Sequence, residues 1–428
     1  MLSADSPLNP WKPEDEHAHS TSSMEWWAVE AFFSTSEKKK YSLKAALNNW
    51  QTKKKTIGTN FVFTLFDQQA KTILSFDKRD DSTRIICKQD TFDIGFKQQH
   101  MKGRFPNYVV ELFDEDHDIL LELQLKATAY PRWVAQQATN GWLPIGLGFY
   151  RYGFIPKCDL QGTMTIKKEK THIKGTGYFE HVWGDFTYHK TGAELGGLKK
   201  TLRTYTALAE TWIHQNTIKI PTTIGVATEN NPLGYDWAWA VLDNGWTLFY
   251  GNILFWVMQG PAAGSLIVSK DGKTYDELFN VQFSYLETKQ AEQFSFRYPT
   301  VLQLHAKKDT EQYSLCFTME KPIREYTVNF KNKGYWKGLV ICEAPGRVTG
   351  EYTNGTETIP LQGVAKIEPQ RQVSTAGHNT LLFGFLKPPQ GIGVSLSVES
   401  ELLNKKGGML FHLLPKPRVH AWLSSLHE

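Results

Sequence analysis

The sequence predicts an all-β chain built as two antiparallel units, each a closed or nearly closed barrel or sandwich, with a few short helices. Three observations carry this. Apolar and polar residues alternate with period two through much of the chain, the pattern of a half-buried strand. Turn signals interrupt the alternating runs in pairs that read as hairpins. Helical periodicity is sparse, and 428 residues suit two domains of ordinary size.

The elements follow in chain order. Met24-Glu25-Trp26-Trp27-Ala28-Val29-Glu30-Ala31-Phe32-Phe33 reads as a strand. Tyr108 to Ala127 is two apolar runs around Asp114-Glu115-Asp116-His117, a hairpin. Gly162 to Gly184 alternates in the same way. Leu198 to Gln215 carries good helix formers and is the clearest helix. It lies between two strand-rich halves, which places a domain boundary near residue 195: residues 1–195 and 196–428, the second opening with a bridging helix. Asp236 to Val257 is a hairpin around Asp243-Asn244-Gly245, because Asn-Gly flanked by alternating apolar residues favours a tight turn. Gly393 to Leu403 alternates once more, and Arg418 to Leu426 reads as a short helix.

Composition narrows the function. The chain holds 25 Phe, 17 Tyr and 14 Trp, 13% aromatic. That excess asks for a use beyond core filling, because buried Tyr and Trp each bring a polar atom that needs a partner. Lys and Arg number 48 against 44 Asp and Glu. A pI of 8.6 with no long basic stripe argues against nucleic acid. Cys87, Cys158, Cys316 and Cys342 stand far apart, so neither a cysteine-rich zinc module nor a disulfide scaffold is expected. No run approaches the ~18 apolar residues of a membrane span. The first twenty residues lack the basic and apolar regions of a secretory signal. A cytoplasmic location is expected, with peripheral membrane association compatible with it.

Familiar cofactor and hydrolase motifs are absent. There is no Walker A loop, no dinucleotide fingerprint, no H-E-x-x-H and no G-x-S-x-G. His17-Ala18-His19 could begin a metal site, but it lies in a polar segment with no evident partner cluster and is read as a solvated tail. Neither a metal nor a cofactor is expected.

Three segments stand out. In the first, Glu25 and Trp27 share one strand face and Trp26 the other. In the second, Tyr178, Glu180 and Val182 share a face opposite Phe179, His181 and Trp183. If Glu180 and His181 both matter, this strand must lie where two cavities or two domains meet. A carboxyl on an aromatic strand is desolvated, which favours its protonated form. Such a group can protonate an alkene and, once ionised, act as a base. In the third, Trp237 and Trp239 share a face and could form an aromatic wall, as could Tyr150 with Tyr152. Each segment also fits a plain core strand.

Taken together, E-W-W near the N-terminus, G-Y-x-E-H-x-W-G midway and a D-W-x-W strand with its hairpin resemble the carotenoid 1,2-hydratase (hydroxyneurosporene synthase) and AttH-like superfamily. Gly334-Tyr335-Trp336-Lys337-Gly338 and Leu361-Gln362-Gly363 are similar to later strands of that family. The resemblance spans nearly the whole chain and implies two lipocalin-like β domains. It also implies cofactor-independent chemistry on apolar unsaturated chains: hydration, tocopherol-type cyclisation or Diels–Alder cyclisation. The family's acid falls at Glu180, a Glu where the hydratases carry Asp. The hydratases' H-x-W pair falls near Tyr150 and Tyr152, both residues replaced. The resulting expectation is an enzyme that hydrates or cyclises an isoprenoid or polyene at a C=C bond in a pocket at the domain interface. Glu180, His181 and Tyr178 would be catalytic. Glu25, Trp26, Trp27, Tyr150, Tyr152, Trp183, Trp237 and Trp239 would bind substrate. Trp27, Trp183, Trp237 and Trp239 are expected to line one cavity around Glu180. The rival expectations are a lipophile carrier and a shape-directed pericyclic cyclase. The oligomeric state is left open.

Overall fold

The computed structural model describes residues 2–51, 56–80, 85–88, 91–145, 148–186, 197–215, 223–225, 233–254, 263–294, 296–329, 336–374 and 382–384. Among these residues strand makes up 68% and helix 7%, and the strands form two curled antiparallel half-barrels. The expected strand Gly393 to Leu403 and helix Arg418 to Leu426 lie outside the described residues.

The first sheet runs, from one edge, Thr72–Asp80, Thr56–Asp67, Lys40–Gln51, Met24–Thr35, Glu169–Asp185, Gly148–Ile166, Ile119–Ala127, Asn107–Asp114, Gln99–Arg104, Phe92–Phe96 and Ile86–Cys87. Several of its strands show the alternation of the sequence. In Ile119–Ala127, Ile119, Leu121, Leu123, Leu125 and Ala127 are buried while Glu122, Gln124 and Lys126 face water. Met24–Thr35 behaves differently: Trp27 through Phe33 are buried without a break. A strand buried on both faces is covered on both faces. One cover is the barrel's own core. The other is the second sheet.

That second sheet runs Asp276–Leu278, Ala263–Ser269, Thr247–Leu254, Leu233–Leu242, Thr358–Ser374, Trp336–Thr353, Glu311–Met319, Arg297–Lys308 and Asn280–Gln290. The hairpin predicted around Asp243-Asn244-Gly245 pairs Val241 with Thr247, and Gly245 takes the positive φ of 89° that the turn requires.

Each sheet encloses its own apolar core. A third cluster lies between them. It joins Phe32, Val134, Phe154 and Tyr178 of the first sheet region to Trp237, Trp239, Phe249 and Ile267 of the second. Phe154 and Phe249 stack at 4.4 Å, Phe32 and Trp239 at 5.7 Å. Trp239 donates its indole N–H to the Pro156 carbonyl at 2.8 Å. This junction meets the two needs of a buried tryptophan, apolar cover and one acceptor.

The helix forms over Leu198–Gln215 as the sequence predicts. It packs on the strands Trp142–Ile145 and Gly148–Ile166 of the first sheet. Lys200 lies 3.0 Å from the centre of the Trp142 ring.

The N-terminal segment is not the solvated tail the sequence suggests. Trp11, Asp15 and Glu16 are buried. Trp11 packs on Trp133 and Phe179, and Glu16 accepts from the Tyr108 hydroxyl at 2.9 Å and the Phe105 N–H at 3.1 Å. The segment is pinned to the first barrel by contacts to strands about a hundred residues downstream.

Candidate active site

The strand Glu169–Asp185 lies between Met24–Thr35 and Gly148–Ile166, and its register fixes what surrounds Glu180. Ala28 and Phe154 are its direct partners. Val182, one step along the same face, is opposite Trp26 and Tyr152. Trp26 and Tyr152 are therefore diagonal neighbours of Glu180, within reach of long aromatic side chains.

Both reach it. Trp26 donates its indole N–H to Glu180 Oε1 at 2.8 Å. Tyr178, two residues back on the same face, donates to Oε2 at 2.9 Å. Tyr152 donates to the same oxygen, and the two phenol oxygens are 3.2 Å apart. Three donors thus converge on one carboxyl. Burial, with the Glu180 charge adding to it, raises both tyrosines well above the usual phenol range. Glu180, Trp26, Tyr150 and Tyr152 are half-buried, whereas Tyr178, Trp237 and Trp239 are buried. The group is therefore a partly open aromatic surface at the margin of the inter-sheet junction. Tyr178 contacts Trp237 at 5.6 Å and Trp239 at 5.3 Å, and Tyr152 meets Phe249 edge-on at 5.6 Å. Tyr150 packs on Phe186, as does Trp26. Two clefts, one lined by Phe76, Phe96 and Phe113 and one by Gln282, His305 and Tyr313, include none of these residues.

The expectation of one cavity walled by four tryptophans is corrected here. Trp237 and Trp239 join Tyr178 beside Glu180. Trp27 and Trp183 do not, because strand parity sends them through the sheet into the first barrel, with Glu25 and His181. There Trp27 stacks on His181 at 4.7 Å, and Trp183 stacks flat on His19 at 4.0 Å. Glu25 Oε1 lies 2.8 Å from His19 Nδ1 and 2.9 Å from His181 Nε2. Burial works to raise Glu25, but its contacts with His181 and His19 outweigh it and hold the carboxyl below its usual range. Burial depresses His181. Glu180 and His181 thus serve two different compartments of one strand, as their parity requires.

Sequence reasoning missed the charges beside this site. Lys44 contacts Glu343 at 3.1 Å, Glu30 at 3.8 Å and Glu368 more closely still. Lys366 pairs with Glu30 at 3.3 Å, and Arg324 with Glu343 at 3.0 Å. Burial lifts Glu30 to about 7, with Glu180 among the charges that add to it. Burial opposes the ionisation of Glu343, but Lys44 and Arg324 outweigh it and hold that carboxyl far below its usual range. No local motif marks this network, since its partners come from both sheets. His19 was missed as well; its one signal was the H-x-H spacing.

The sequence matches no family profile and no curated protein. Solved structures do match. An AttH-type protein from Nitrosomonas europaea superposes with a TM-score of 0.55 at 15% identity, covering 86% of this chain and 98% of that one. Kievitone hydratase from Nectria haematococca superposes with a TM-score of 0.57 at 13% identity, covering 87% of this chain and 96% of that one. At such identities the likeness speaks for the fold: this chain has the two-domain, all-β, lipocalin-like architecture of those two proteins.

Proposed function

We propose that the chain is an enzyme that adds water, or an internal nucleophile, across a C=C bond of an apolar isoprenoid or polyene. The observation that carries this is the convergence of Trp26, Tyr152 and Tyr178 on Glu180 at an aromatic junction. The fold shared with a protein named for a hydratase activity supports it.

In this reading Glu180 is the group that changes protonation. Its carboxyl gives a proton to one alkene carbon, leaving a cation on the other. Water attacks the cation, and the proton it sheds returns to the carboxylate; in cyclisation a nucleophile within the substrate replaces water. Tyr152 and Tyr178 keep their own protons, since both are raised well above the usual phenol range, and act by orienting Glu180. The ring faces of Tyr152, Trp237 and Phe249 offer negative electrostatic potential to the cation. Trp237 Nε1 is buried with no hydrogen-bond partner among the described residues. Electrostatic preorganisation around that cation is the main source of rate in this reading. His181, on the other face, has no part in the step.

The test is Glu180→Gln, with an isoprenoid alkene as substrate in ¹⁸O-labelled water and mass spectrometry of the product. Turnover should fall by at least about 100-fold, the lower range for a lost general acid–base group, while binding of the lipophile survives. Product formation at the wild-type rate would overturn the assignment. Binding with no turnover in either protein would mark a carrier.

A further inference from the structure

The far face of the same strand carries a second group with its own chemistry. We propose that His19, Glu25 and His181 form a binding site for a divalent first-row transition-metal ion, zinc being the best fit. One ligand atom from each residue lies within 4.8 Å of the other two.

The hydrogen bonds around the group decide how it is set. His181 Nδ1 lies 2.8 Å from the main-chain oxygen of Asp15. A carbonyl only accepts, so Nδ1 carries the proton of the ring. In the neutral imidazole Nε2 is then a lone pair, and it points at Glu25 Oε1 from 2.9 Å. A carboxylate also only accepts. Two acceptors face one another in a fully buried place, and a cation between them resolves the conflict. Fixing a histidine through a carbonyl on its other nitrogen is how proteins orient metal-bound imidazoles. Glu25 is oriented too: the main-chain N–H of His19 reaches both of its oxygens at 2.9 Å.

The donor set fits the metal class. Two imidazoles and one carboxylate ligate zinc in sites that keep a position open for water, and ferrous iron in the facial-triad oxygenases. Zinc bonds of about 2.0–2.1 Å set tetrahedral ligands roughly 3.3 Å apart, so the present separations of 2.8 and 2.9 Å need to widen only slightly. His19 can supply that movement: it lies outside the strands, on the segment leading into Met24–Thr35, and its side chain is 24% exposed. The same exposure gives an ion its way in. Trp27 and Trp183, packed flat on the two imidazoles, give the site a dry wall.

The experiment uses the full chain, stripped with a chelator and dialysed, then titrated separately with Zn²⁺ and Co²⁺. One equivalent should bind, and Co²⁺ should show the visible bands of a four- or five-coordinate nitrogen–oxygen site. His19→Ala and Glu25→Gln should each weaken Zn²⁺ binding by at least about 100-fold, the scale on which metal sites respond even to outer-shell changes. Far-UV circular dichroism checks that the fold is kept; His19→Ala, at a half-exposed position, keeps the test decisive if Glu25→Gln fails to fold. Absence of stoichiometric binding would overturn the proposal and leave a shared proton as the cation. Equal affinity in wild type and His19→Ala would overturn it too, by placing the ion elsewhere.

Discussion

Glu16 shows what a single buried carboxyl does to the molecule. It is 4% exposed and forms no ion pair among the described residues, and although Tyr108 and Phe105 donate to it and the Arg104 charge favours its ionised form, burial dominates and lifts it to about 7 from 4.5. A carboxyl that holds its proton more tightly in the folded state contributes stability fully below the unfolded value, near pH 4.5, and loses it as the pH rises through about 7. Glu16→Gln cannot ionise. The variant should therefore gain on the wild type between pH 5 and pH 8, by an amount on the order of 3 kcal/mol, read as a widening difference in melting temperature. A difference that stays constant over that range would show that Glu16 does not titrate there. At this scale the sequence was informative about Glu180 and Tyr178, whose spacing places them on one face. It was uninformative about Glu16 and His19. A polar segment looks solvated until the residues that anchor it, such as Tyr108, are brought to it from 92 positions away.

Among the elements, the strand Gly148–Ile166 has a glycine where its neighbours need space. Gly153 pairs with His181, and a Cβ there would lie 2.5 Å from the Trp133 ring and 2.7 Å from that of Trp11. Both rings are fixed by packing. Gly153→Ala should therefore destabilise the chain by roughly 1–3 kcal/mol, the usual result of overfilling a core, measured by chemical denaturation. An unchanged midpoint would mean that the rings move aside freely. Elements were the most legible level: the hairpins at Asp114–His117 and Asp243–Gly245 and the helix Leu198–Gln215 all follow from alternation, turn residues and propensity. The failure was instructive. Placing Trp183 beside Glu180 set residue type above strand parity, although three residues apart on a strand means opposite faces. Parity prevailed, and Trp27 followed because it pairs with His181.

The two sheets are held together by more than aromatic contact. Lys44, Lys366 and Arg324 are set against Glu30, Glu343 and Glu368, with Lys44 and Glu368 separated by 324 positions in the chain. Breaking a buried pair by removing one partner typically costs about 3–5 kcal/mol. Lys44→Met should destabilise the chain on that scale, and adding Glu368→Leu should recover part of the loss. A loss under about 1 kcal/mol would show that solvent already screens the network. None of this could be read from sequence, since a buried charge has no periodic signature and its partner can lie anywhere. Two sheets back to back also mean that the strand Glu169–Asp185 is read twice, once from each side. A single inserted residue ahead of Tyr178 that advanced the strand by one place would turn Glu180 into the barrel and His181 toward the second sheet, exchanging both chemistries at once. Chains that descend from this one can lengthen or shorten freely in the turns at either end of the strand; within it, length can change only in steps of two.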